Sequence, residues 1–185
     1  MNTDLSMATA SSYHPSLALG GVFLSLFGAA WLAAACFAYA GANLPMFATV
    51  AILCLLMTMW AILTFRSRRR LFSGVTDRTA GARVRRGFAV VNIVQWSCIG
   101  IVVLVLALTD HAAWIMPSVI LITGFHFFPL AKLLRYRGYN VTGTGLVLVA
   151  ALYILFGGAG YSVALTLLAT GAILWTSAIA LLCAM

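Results

Sequence analysis

Polar residues interrupt the apolar ones only at long intervals along this chain, and those intervals set the first reading. Apolar runs extend from about Leu17 to Tyr39, Leu44 to Phe65, Gly87 to Thr109, Ala112 to Ala131, Val141 to Gly157 and Tyr161 to Cys183. Each is close to the roughly 20 residues that a helix needs to cross about 30 Å of hydrocarbon at about 1.5 Å per residue. A barrel strand would alternate with a period of two, and these runs do not. Backbone groups in lipid must find their partners within the segment, so the runs are predicted as helices. The expected fold is therefore all-α: a polytopic membrane protein, a bundle of six transmembrane helices forming a single domain over residues 1–185.

The punctuation fits these spans. Pro15 precedes the first, where a missing N–H costs nothing. Asn43 is placed to cap the second, with Pro45 in its first turn. Gly157, Gly158 and Gly160 mark a turn between the fifth and sixth, because one unbroken helix over both would exceed the bilayer. Connections are short except for the Arg-rich stretch 66–86, expected as a basic cytoplasmic loop.

Composition excludes a soluble domain. Of the 185 residues, 64% are apolar and 8% charged, where a soluble chain carries about a quarter charged residues. The net charge of +8 comes from eleven Lys and Arg against three Asp, with no Glu. Its placement matters more than its size. Arg66, Arg68, Arg69, Arg70, Arg78, Arg83, Arg85 and Arg86 lie between the second and third spans; Lys132, Arg135 and Arg137 lie between the fourth and fifth. Both connections follow even-numbered spans, so every basic residue falls on one side. The positive-inside rule makes that side cytoplasmic, with both termini there too. Dropping one span would put basic residues on both sides. The expected location is thus the inner membrane of a bacterial cell, multi-pass, N-in and C-in.

Basic residues confined to membrane-flanking connections argue against a nucleic-acid partner. The expected partners are the bilayer and its anionic headgroups, the latter at Arg66, Arg68, Arg69 and Arg70. The N-terminal tail holds only Asp4 and no basic residue, which argues against a cleaved signal peptide. Asn140-Val141-Thr142 matches a glycosylation sequon but falls on the predicted cytoplasmic side. Gly21, Ser25, Ala29 and Ala33 recur at every fourth position, a spacing that lets helices approach closely. The first span is expected to use it within the bundle or at a homo-oligomer seam through Gly21, Ser25 and Ala29.

Candidate chemistry is sparse. Cys36, Cys54, Cys98 and Cys183 stand singly, with no disulfide-redox or zinc-like spacing, so no metal or cofactor is expected. Asp4, Asp77 and Asp110 all lie outside the spans. This counts against a carboxylate-coupled antiporter, a glycosidase-like acid/base pair and an intramembrane metalloenzyme. A GxSxG motif is absent. The sequence leans away from an enzyme and marks no catalytic residue.

Amide, hydroxyl and imidazole remain. Asn92 and Gln95 share a face of the third span, with Trp96 beside them. His126 sits in the fourth span one turn before Pro129, whose missing N–H frees a carbonyl and invites a kink. Counted from the basic ends of their spans, Asn92, Gln95 and His126 lie about 7, 12 and 9 Å deep. Thr58 and Trp60 of the second span occupy the same half of the membrane, as do Thr142, Trp175 and Ser177. Two readings compete for this level. Polar residues between membrane helices often only hydrogen-bond across them, for about 0.6 kcal/mol each. Alternatively His126, Asn92, Gln95, Trp96, Pro129, Thr58 and Trp60 line a cytoplasm-facing cavity, since kinked spans wall many transporter sites. The leading expectation is a small carrier for a neutral or anionic molecule. A non-catalytic assembly or accessory protein is the alternative. A lipid- or isoprenoid-modifying enzyme, with the arginine run on a phosphate and His126 as acid or base, ranks below both.

Overall fold

The computed structural model describes residues 15–41, 43–71, 78–157 and 162–183. Each predicted span is a helix: α1 (Pro15–Ala40), α2 (Leu44–Leu71), α3 (Arg78–Leu108), α4 (Ile115–Leu134), α5 (Gly138–Phe156) and α6 (Val163–Cys183). All six are long and apolar enough to cross a membrane. A 3-10 turn, Ala112–Trp114, leads into α4.

Helix ends follow local chemistry. The Met46 N–H donates to Asn43 Oδ1 at 3.3 Å, so Asn43 caps α2 as its position predicts. Gly41 stops α1 with a positive φ of 63°, and its N–H returns to the Phe37 carbonyl. At the end of α4, Arg135 takes the same left-handed conformation without being glycine. The N–H groups of Arg135 and Tyr136 both reach back to the Ala131 carbonyl there.

The Arg-rich stretch differs from the expected loop. The apolar windows stop at Thr64 and resume at Val84, yet α2 continues to Leu71 and α3 already begins at Arg78. Arginine is nearly as good a helix former as leucine, so the helices run on past the hydrocarbon. Between them lie only residues 72–77, outside the described residues. The glycine turn over Gly158 to Gly160 also lies outside them.

Extended packing links the helices in the order α2, α1, α6, α5, α4, α3. The row is bent, because Phe23 and Phe27 of α1 meet Phe88 and Trp96 of α3 at ring-centroid distances of 6.3 and 6.0 Å. The core is made by the middle of the row: Leu24, Ile120, Phe127, Leu130, Leu134, Tyr139, Leu146, Leu174 and Leu181. In lipid, burial of apolar surface drives little association, and close van der Waals contact takes its place. Two glycine pairs provide it. A Cβ on Gly143 would stand 2.7 Å from the Gly124 carbonyl oxygen, and one on Gly171 would stand 3.0 Å from that of Gly28. Only hydrogen fits at these crossings of α5 with α4 and of α6 with α1.

The small-residue stripe of α1 faces inward. Ser25 is fully buried, Ala29 nearly so, and Gly21 lies against Leu182 of α6. Of the two expectations for Gly21, Ser25 and Ala29, the structure fits packing within the bundle: all three are buried, Gly21 and Ser25 against α6.

Gly20 lies beside Tyr139 and Leu181, Gly87 beside Leu133, and Phe23 beside Phe88. The start of α1, the start of α3, the end of α4, the start of α5 and the end of α6 therefore gather at one end of the bundle. Lys132, Arg135 and Arg137 are at that end, as are the Arg-bearing start of α3 and its approach from α2.

Candidate functional site

Helix α4 positions the polar level. Gly124, Phe127 and Leu130 are buried, and Gly124 and Phe127 meet Gly143 of α5. His126 is turned off that face and is half-buried, its imidazole reaching toward the Val91 main chain of α3. The ring stands edge-on to Phe127 at 5.6 Å and 75°. Its Nδ1 is buried and has no hydrogen-bond partner among the described residues. Pro129, one turn on, is exposed on an otherwise continuous α4. Lacking an N–H, it leaves the Phe125 carbonyl without its helical donor.

On α3, Asn92 and Gln95 are both half-buried. Asn92 Nδ2 donates to the Phe88 carbonyl of its own helix at 2.9 Å. Thus Asn92, Gln95 and His126 lie on two helices that pack together, α3 and α4, but among the described residues no hydrogen bond joins the three. Trp96 is exposed and leans on Phe27 of α1. Thr58 and Trp60 stand apart, since α2 packs mainly on α1. The Thr58 hydroxyl lies 3.9 Å from Cys54 Sγ, and Trp60 is exposed. Arg66 is exposed near the end of α2; the side chains of Arg68, Arg69 and Arg70 lie outside the described residues.

The polar contacts that do cross between helices are elsewhere. Thr142 of α5 donates to Ser177 Oγ of α6 at 2.7 Å, and Ser177 donates to the Ile173 carbonyl at 2.7 Å. Trp175 Nε1 donates to the Ser25 carbonyl of α1 at 3.0 Å.

Sequence reasoning gave no weight to Tyr139, which the structure makes central. It is 1% exposed, stacks on Phe127 at 5.7 Å and meets Tyr136 edge-on at 5.2 Å. Its hydroxyl is directed at Gly20 of α1 and has no hydrogen-bond partner among the described residues. The available signal was the pair of tyrosines three residues apart at the start of an apolar run. Beside them, a cavity of about 310 Å³ opens between α5 and α6 at the basic end, lined by Tyr136, Gly138, Tyr139, Val141, Thr142, Thr176, Ser177 and Ala180. Burial pushes the Tyr136 phenol above its ordinary value, so at neutral pH it stays protonated and able to donate.

Among the described residues, no three His, Cys, Asp or Glu side chains gather as a metal site would require. Fold and composition together define the class: the chain is a multi-pass, six-helix membrane protein in contact with the lipid bilayer. No protein family, curated protein or solved structure matches it.

Proposed function

We propose that the protein is a small carrier of a bacterial inner membrane, with both termini and the basic connections in the cytoplasm. Its substrate, neutral or anionic, is received between α3 and α4 at the level of His126. One observation carries this reading: among the described residues, the buried Nδ1 of His126 has no hydrogen-bond partner. An unmatched polar atom is expensive within a bilayer and is a common mark of a ligand or water site. Gln95 and Asn92 are the nearby amides; Asn92 joins by releasing the Phe88 carbonyl. Pro129 and Gly124 loosen the backbone on either side of the imidazole. The lack of any acid within the spans disfavours a cationic substrate, and the gathering of basic residues at one end supports the orientation.

A ligand-dependent thermal-shift screen of the purified protein in detergent tests the proposal, repeated with His126→Ala and His126→Gln. A neutral or anionic small molecule should raise the wild-type Tm, and His126→Ala should abolish the shift while leaving the protein folded. An equal shift in wild type and variant would remove His126 from the site.

A second reading, a non-catalytic assembly or accessory protein, draws support from Thr142–Ser177 and Trp175–Ser25, where polar groups fasten helices. It predicts that His126→Ala lowers only thermal stability and leaves a wild-type phenotype.

A further inference from the structure

We propose that the cleft between α5 and α6 holds an acyl chain of an anionic phospholipid, with the lipid phosphate against Arg135 and Arg137. The inference is independent of whether the protein carries a substrate.

The cleft has the shape and chemistry for a lipid tail. Its volume is about 310 Å³. Val141, Thr176 and Ala180 in its lining are exposed on the outer surface of the bundle, so it opens toward the hydrocarbon rather than into the core. The threonine and serine hydroxyls in its wall are already engaged, and the Tyr136 phenol stands at its mouth. Thr142 donates to Ser177, Ser177 to the Ile173 carbonyl, and Thr176 to the carbonyls of Ala172 and Ile173. The Tyr139 hydroxyl is turned away toward α1. What the wall offers an occupant is mainly methyl, methylene and aromatic surface, which suits an alkyl chain better than a polar solute.

The mouth of the cleft supplies charge. Tyr136 and Gly138 line it, and Arg135 and Arg137 flank them in sequence, both exposed, with Lys132 on the last turn of α4. The amides of Tyr139 and Asn140 are bonded to the carbonyls of Tyr136 and Arg137. The positive charge for a phosphate must therefore come from the arginine side chains and not from that turn of backbone. Eleven basic residues against three acidic ones leave an excess that headgroups are placed to balance. A hydrocarbon cleft whose mouth is flanked in sequence by two exposed arginines is complementary to one lipid class: a phospholipid with an anionic headgroup.

The test is lipid retention by native mass spectrometry on delipidated protein in detergent. The probes are dioleoyl phosphatidylglycerol, dioleoyl phosphatidylcholine and free glycerol phosphate. Phosphatidylglycerol should be retained well above phosphatidylcholine, and glycerol phosphate should not displace it. Arg135→Gln and Arg137→Gln should each weaken phosphatidylglycerol about five-fold, the worth of one basic side chain near a headgroup, with little effect on phosphatidylcholine. Ala180→Phe, at an exposed position that intrudes on the cleft, should weaken both lipids; Ala180→Ser should weaken neither. Equal retention of the two lipids would overturn the proposal, as would displacement by glycerol phosphate or retention unchanged in Ala180→Phe. So would an equal loss from Arg66→Gln and Arg85→Gln, which would reduce the effect to general attraction at the basic end. Melting curves for each variant separate lost binding from lost fold.

Discussion

The two faces of α5 are built differently. Toward α4, Gly143 meets Gly124 across backbone atoms, with Phe127 and Val147 packed beside the contact. Toward α6, Gly145 meets the side chain of Ile173 instead, at 3.3–3.8 Å, and lower down the pair parts around a cavity. Glycines two residues apart on one helix thus do opposite things. One closes a seam because its partner is also a glycine. The other leaves a gap that its partner's branched side chain partly fills. On this helix the glycine opposite another glycine lets the backbones touch, and the one opposite a branched side chain does not.

The comparison can be broken most forcefully at Gly143. Gly143→Ala puts a methyl group 2.7 Å from the Gly124 carbonyl oxygen and 3.1 Å from Phe127 Cβ. Neither a carbonyl nor a Cβ can rotate away. Unfolding in mixed micelles should show a loss of about 3 kcal/mol, the upper part of the usual range for overpacking. A cost below about 1 kcal/mol would mean that α4 and α5 are not in backbone contact.

A smaller effect is expected from Ser177→Ala on the other face. It removes the acceptor of Thr142, which keeps the Gly138 carbonyl at 3.1 Å as a second choice. The expected loss is about 0.6 kcal/mol, as for other interhelical hydrogen bonds in membranes. Double-mutant analysis with Thr142→Val isolates the pair.

Gly145→Ala sharpens the contrast and should do least. Its methyl group would meet the flexible end of Ile173, and alanine favours the helix by up to about 1 kcal/mol. Stability should change by less than about 0.5 kcal/mol or rise slightly. If Gly145→Ala proved as damaging as Gly143→Ala, the distinction between the two faces would be lost.

Much of this architecture was legible in the sequence because the bilayer imposes a length on every apolar run. The six spans, the Asn43 cap and the clustering of basic residues at one end follow from run length, capping chemistry and charge placement. The ends of α2 and α3 were less legible. Hydropathy marks where lipid stops, whereas helix continuation through Arg66 and Arg85 depends on backbone propensity. Matching depth assigned His126, Asn92 and Gln95 to one level of α3 and α4, but depth carries no azimuth. It could not say that Asn92 turns back onto Phe88, or that Thr58 and Trp60 sit on a helix packed against α1. The row order was equally out of reach. It depends on which glycine faces which, and Gly28 opposite Gly171 is a relation between residues far apart in sequence.

That pairing of α1 with α6 has a consequence for how the protein is made. Trp175 reaches Ser25 across 150 residues of chain. At a synthesis rate of about 5–20 residues per second, α1 waits roughly 8–30 s for its partner to emerge. Throughout that interval its small-residue stripe, with Gly21 and Ser25 on it and Gly28 beside it, has no α6 to cover it. The nascent bundle is an open arc with α1 at its unfinished edge. The final helix completes it much as a closing stave completes a cask.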